Sequence, residues 1–345
     1  MRNDLMIYIL EKKELDQTLT SWSENFDVFA PQKVEKYSQF VPFKSFSELT
    51  FENPHNTRFP PKALFLPQTE VLQKYRPNLN QLQEVVQTPK PRVIFGVRPC
   101  DAQAVTLLDT VFNTQENVDP YWKVKRDASI VIGMGCTNPC QTCFCTTVGY
   151  GPFNHDGLDA LITEIDEKYF IEVLTEKGKS LFTHLPPATK DQELQVHSLQ
   201  LEVKENMPIA FETKNLKQKL DKIFDNDYWQ TISESCLGCG VCTFLCPTCF
   251  CFDIVDEVQR NERIRNWDTC MFRIYSQEAS GHNPRPTRRE RTRQRLMHKY
   301  SYWLDHIGKI GCTGCGRCVR YCPVGLDIRA MIRTASNVKS EVIND

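Results

Sequence analysis

Cys236-Leu-Gly-Cys239-Gly-Val-Cys242-Thr-Phe-Leu-Cys246-Pro247 and Cys312-Thr-Gly-Cys315-Gly-Arg-Cys318-Val-Arg-Tyr-Cys322-Pro323 are two copies of one pattern, C-x2-C-x2-C-x3-C-P. That pattern is the bacterial ferredoxin run, in which the first three cysteines hold one [4Fe-4S] cluster and the fourth reaches the other. Three thiolates at steps of three wrap a loop around three corners of a cubane. Gly238, Gly240, Gly314 and Gly316 let the backbone come close to inorganic sulfide. The proline then turns the chain away from the fourth cysteine. The expected ligand sets are therefore Cys236, Cys239, Cys242 and Cys322 for one cluster, and Cys312, Cys315, Cys318 and Cys246 for the other. A pair of zinc ribbons would also use C-x2-C pairs. It leaves the third cysteine of each run and both Cys-Pro steps without a purpose.

The gap between the runs, 66 positions from Cys246 to Cys312, has room for two or more helices. This predicts a mainly α-helical two-cluster domain over 215–345 and not the short-looped ferredoxin hairpin fold. Within it LKQKLDKIFDNDYW is amphipathic, with Leu216, Leu220 and Phe224 on one stripe.

Upstream the chain changes character. Val93–Val97 and Ser129–Gly135 are short apolar runs, each followed by a cysteine, Cys100 and Cys136. Between them Asp101–Phe112 has the spacing of a helix, with Asp101 as N-cap and Val105, Leu108 and Phe112 on one face. Strand, helix, strand is a βαβ unit, and parallel strands bring their C-terminal ends together, where open α/β sheets build sites. Cys143-Phe-Cys145 follows in the same loop. The N-terminal domain, expected over 1–183 as an α/β or α+β fold, thus offers Cys100, Cys136, Cys143 and Cys145 as a third, [4Fe-4S]-type site. Cys140 is a reserve ligand. The plain alternative is that these are buried small hydrophobes. Residues 184–214 carry prolines and charges without a sustained period, so a linker is expected there.

Three cysteines remain. Cys249, Cys251 and Cys270 either line the wall of the cluster domain or, with His282, hold a further metal.

The 345 residues are 41% hydrophobic and 25% charged, which excludes a disordered chain, and the net charge of -1 excludes a globally basic nucleic-acid binder. No apolar run reaches the roughly 18 residues of a membrane span. The start, MRNDLMIYILEKKELD, does not read as a signal peptide. A cytoplasmic, reducing compartment follows, in which 16 cysteines call for metal and not for disulfides. Charge does collect locally, since Arg285–Lys299 carries +6 and the rest of the chain -7. Three readings stand for this run: a solvated helix face, a nucleic-acid contact of a sensor protein, or a field acting on clusters or a partner. The second is weak because no aromatic residue interleaves the basic ones.

Taken together, Arg98-Pro-Cys100-Asp101, Cys143-Phe-Cys145, CLGCGVCTFLCPTCFC (236–251), Trp267-Asp-Thr-Cys270, Gly281-His-Asn-Pro-Arg-Pro-Thr287 and the final cysteine run resemble the β subunit of cytoplasmic NAD(P)-linked [NiFe] hydrogenases, the sulfhydrogenases. The iron–sulfur A subunit of anaerobic sulfite reductase is a close relative of that family. The resemblance covers most of the chain, including Phe26-Asp-Val-Phe-Ala-Pro31. Phe252 stands where the family pattern leads one to expect Tyr, and Cys140 is an extra. The resemblance implies a non-catalytic electron conduit in a hetero-oligomer. One neighbour would be a flavin subunit that oxidises NAD(P)H, and the other a hydrogenase or sulfite reductase subunit. The residues agree, because no G-x-G-x-x-G follows a strand, no Walker A run is present and the seven histidines form no H-E-x-x-H pair. A free-standing iron–sulfur sensor that binds nucleic acid through 285–299 is the alternative.

Overall fold

The structure, a computed structural model, describes residues 6–50 and 56–338. The chain divides into two compact units, Met1–Leu66 with Val86–Pro208, and Pro67–Val85 with Ile209–Asp345. Among the described residues the strands are β1 (Ile7–Glu11), β2 (Asp27–Val34), β3 (Tyr37–Pro42), β4 (Thr69–Arg76), β5 (Gln81–Glu84), β6 (Arg92–Val97), β7 (Ser129–Met134), β8 (Ala160–Ile165), β9 (Lys168–Val173), β10 (Phe252–Glu257) and β11 (Glu262–Trp267).

The first unit is built on a seven-stranded sheet in the order β1-β9-β8-β7-β6-β2-β3. Its centre, β2-β6-β7-β8, is parallel, and its flanks are antiparallel. Every residue of β6 and β7 is buried, which is why both read as unbroken apolar runs. The helix Pro99–Phe112 crosses between them and buries Val105, Leu108 and Phe112. The βαβ unit is therefore present. One detail differs: Asp101 is not the N-cap. The helix starts at Pro99, whose missing N–H costs nothing at the first position, and Arg98 precedes it. Asp101 lies buried in the first turn, where the helix dipole still favours an acid. At the other end of the strands, buried Arg92 ties β6 to β7, donating to Ser129 Oγ at 2.7 Å and to the carbonyls of Leu64 and Lys125 at 2.8 and 3.0 Å.

The segment 184–214 is not merely a linker. It holds the 16-residue helix Lys190–Glu205, opened by a capping box between Thr189 and Gln192. Only Val196 of this helix is buried, against Ile7 and Phe170, while Leu194 and Leu201 face solvent. One buried residue in four turns leaves no apolar period to read, so the sequence concealed the helix.

The second unit is helical around the cysteine runs, with Leu216 and Leu220 of the helix Leu216–Lys222 buried as expected. It also contains a four-stranded antiparallel sheet, β10-β11-β4-β5. Two of those strands come from residues 67–85, so the expected boundary at 183 does not describe this unit. Arg265 of β11 and Glu70 of β4 pair at 2.6 Å, both nearly buried. That ion pair joins positions 195 residues apart, beyond the reach of local pattern.

Gly157 precedes β8 with φ +82°, and a Cβ there would stand 2.4 Å from the Ala102 carbonyl of the helix that carries Cys100. Gly157→Ala is expected to lose about 1–3 kcal/mol to overpacking, with roughly 1 more for the left-handed backbone. A urea melt at unchanged midpoint would show that the loop yields freely.

Candidate metal centres

The two cysteine runs have the same local geometry. The Gly238 N–H donates to Cys236 Sγ at 3.4 Å, and the Gly314 N–H donates to Cys312 Sγ at 3.4 Å. Gly240 and Gly316 hold φ of 76° and 72°, and each opens a four-residue helix, Val241–Phe244 or Arg317–Arg320. A Cβ at Gly240 would lie 3.0 Å from the Phe244 ring, so the positive φ and the close packing both ask for glycine. Backbone N–H groups aimed at sulfur are what a thiolate ligand of a cluster accepts, and they help to set its potential.

A pocket partly open to solvent is lined by Cys236, Cys239 and Cys242 together with Cys322 of the other run. Cys318 also borders it, and Val241, Met271 and Met331 contribute apolar wall. On the other side, Cys246 faces Cys312 and Cys318, and all three are pressed among one another's charges. Cys312, Cys315 and Cys246 are buried. The fourth cysteine of each run is thus turned to the other. Among the described residues no three His, Cys, Asp or Glu side chains converge on a single ion. A cubane takes four thiolates around its corners, and Cys236, Cys239, Cys242 and Cys322 line one such space.

Cys246 is held well below the usual thiol range. The Cys249 thiol donates to it, which outweighs burial, and Lys299, Thr248 and Arg295 act in the same direction. Burial pushes Cys318 up to about 11 against the pull of Arg295. For Arg295 and Lys299, burial opposes the charged form, yet the surrounding sulfurs hold both cations above their ordinary range.

At the sheet of the first unit, Arg98 leaves the end of β6 and donates to the Gly135 and Met134 carbonyls at the end of β7, at 2.8 and 3.4 Å. Arg98 and Cys140 also neighbour Cys136, while Cys100 lies inside the first turn of its helix and accepts from Asn56 Nδ2 at 3.9 Å. Cys143 is hydrogen-bonded to Cys140 and neighbours Cys100 and Cys136, and its thiol is pushed up by these contacts and by burial. Cys145 neighbours Cys136 and Cys140, and its Sγ lies 3.8 Å from Met207 Sδ. Burial pushes Cys145 up to about 12. Cys143 and Cys145 thus have between them Cys100, Cys136 and Cys140 as electrostatic neighbours, and the sequence placed Cys140 only in reserve. All-sulfur donor sets suit soft metals and iron–sulfur clusters, and coordination deprotonates the thiols outright.

The three remaining cysteines separate into two contacts. Cys249 joins Cys246. Cys251 is hydrogen-bonded by Cys270 and Tyr275, which lowers its thiol to about 6 in spite of burial. His282 lies exposed in a turn, with its N–H donated to Ser280 Oγ.

The basic run forms the helix Arg288–Met297, capped by Thr287 and Glu290. Its outward arginines are already engaged: Arg288 donates to the Cys236 carbonyl, Arg289 to Asp225 O and Arg293 to Phe224 O, each at 2.8 Å. Its inward side chains, Arg291, Arg295 and Lys299, are buried. Spacing by four residues was the signal for this division, and the count of charges hid it.

No helix among the described residues is long and apolar enough to cross a membrane. A 4Fe-4S dicluster domain matches residues 235–326. The chain is 31% identical over 307 residues to the sulfhydrogenase 2 subunit beta of Pyrococcus furiosus, across 87% of this chain and 89% of that protein. No solved structure matches.

Proposed function

Since this chain belongs to the family of sulfhydrogenase β subunits, we propose that it is the electron relay of a cytoplasmic hetero-oligomeric complex. It stands between a flavin subunit that oxidises NAD(P)H and a terminal hydrogenase or sulfite reductase subunit. The observation that carries this reading is the cavity walled by Cys236, Cys239, Cys242 and the distant Cys322. Clusters bound in such paired sites supply one-electron stations. The protein's part is to hold the thiolates, aim backbone N–H groups at them and exclude water. Eight cysteines serve two [4Fe-4S] clusters in the crossed sets given above. Cys100, Cys136, Cys143 and Cys145 serve a third, with Cys140 beside them. Cys249, Cys251 and Cys270 belong to the wall.

The nucleic-acid alternative loses its surface, because the outward arginines of 288–293 are tied to backbone carbonyls. The sequence also contains no G-x-G-x-x-G run.

Two measurements test the reading. Anaerobically purified chain is expected to contain about 12 Fe and matching acid-labile sulfide. About 8 would leave only the paired clusters, and zinc in place of iron would end the proposal. The flavin-free single chain is expected not to oxidise NADPH, and to do so only when a flavin subunit is added. NADPH turnover by the chain alone would refute the conduit.

A further inference from the structure

Arg295 is 6% exposed and Lys299 3% exposed, yet no carboxylate among the described residues pairs with either. Arg295 donates to the Cys242 carbonyl at 3.2 Å and leaves its Nε without a partner. Lys299 donates to Thr248 Oγ1 at 2.8 Å and to the Gly311 carbonyl at 2.9 Å, both neutral. A buried cation with only neutral partners is strongly disfavoured, so a negative charge must stand near it. The nearest candidates are sulfurs: Cys242, Cys318, Cys249 and Cys246 around Arg295, and Cys246, Cys249 and Cys312 around Lys299.

The helix is shaped to deliver these side chains. Arg291, Arg295 and Lys299 fall four apart on one face. At His298–Tyr302 the helix widens into a π turn, which turns both Lys299 and Tyr300 into the interior. The Lys299 carbonyl, displaced by that turn, accepts from the Gly311 N–H at 2.8 Å, one residue before Cys312. π turns are rare and tend to mark functional positions. The basic helix is thereby fastened to the loop of the last cysteine run.

We propose that Arg295 and Lys299 are an internal counter-charge for the paired clusters. Arg295 serves both, and Lys299 serves the one at Cys312, Cys315, Cys318 and Cys246. The inference rests on the two-cluster reading above. Each cluster with four thiolates is anionic and gains one negative charge on reduction, so a fixed cation favours the reduced form and raises the potential. Burial keeps the effect from being screened by salt.

The test is EPR-monitored redox titration of the iron-loaded full-length chain and its Lys299→Met, Lys299→Gln, Lys299→Arg and Arg295→Met variants. Lys299→Met and Lys299→Gln are expected to lower the reduced-to-oxidised ratio of one cluster at fixed potential by at least tenfold, about 59 mV for one electron. Arg295→Met is expected to lower it in both. Lys299→Arg is expected to stay near the parent, and the shifts are expected to persist at high salt. If Lys299→Met and Lys299→Gln fail to hold iron while Lys299→Arg holds it, the charge is still the requirement and the proposal stands. It falls if iron-replete Lys299→Met titrates with the parent, or if Lys299→Arg loses iron as the neutral variants do. Parent chain without iron would instead sink the two-cluster reading itself.

Discussion

In Cys246→Ser the cluster assigned to Cys312, Cys315 and Cys318 is expected to lose its signal or change it, while the one assigned to Cys236, Cys239 and Cys242 keeps its spectrum. Sequence proximity argues the reverse, since Cys246 lies four residues from Cys242 and far from Cys312. The backbone decides otherwise. After the helix Val241–Phe244 the chain turns at Pro247, and Thr248 Oγ1 donates to the Gly311 carbonyl at 2.9 Å, binding this corner to the last run. The Cys246 thiol then faces Cys312 and Lys299. The matching variant, Cys322→Ser, is expected to touch the other cluster, because its thiol opens on the cavity of Cys236, Cys239 and Cys242. Iron should fall by up to about 4 per chain in each case. EPR in which Cys246→Ser disturbs only the nearby cluster would overturn the crossing and with it the relay's compact pairing.

What was legible in the sequence was whatever obeys a short period or a fixed spacing. The steps of three in the cysteine runs fix a loop geometry that the structure repeats to the same 3.4 Å contact in both copies. The apolar runs of β6 and β7 announce buried parallel strands, and the α/β fold followed from them. Two kinds of feature stayed hidden. Pairing at long range was one: Thr69–Arg76 has half-buried, polar strands, and nothing local ties it to Glu262–Trp267. The other was direction. The basic run is visible as charge, but whether Arg295 points in or out depends on the helix phase, and the direction of Lys299 on a π turn that no residue pattern declares. Cys140 belongs to the same class, since its contact with Cys143 is made by a loop turn in which the Cys143 N–H donates to the Cys140 carbonyl at 2.9 Å.

Replacing Cys136 with serine is expected to remove about 4 Fe per chain and leave the two paired clusters with their spectra intact. Cys136 and its cysteine neighbours belong to the first unit, and none of the eight cysteines of the two runs does. Cys136 follows β7 after Gly135, its N–H donates to the Pro152 carbonyl at 3.1 Å, and Arg98 reaches it from the end of β6. Burial raises its thiol and Arg98 opposes that, so Arg98 favours the thiolate that a metal needs. Cys100→Ser should behave alike, since that cysteine, in the first turn of the crossing helix, neighbours Cys143 as Cys136 does. The fourth corner is tested by a pair of variants: Cys145→Ser is expected to lose the iron and Cys140→Ser to keep it, and the opposite result gives the place to Cys140. If Cys136→Ser retains all of its iron, these five thiols are buried packing and not a metal site. The relay then ends within the second unit at about 8 Fe, and any electron entering through the first would have no station there.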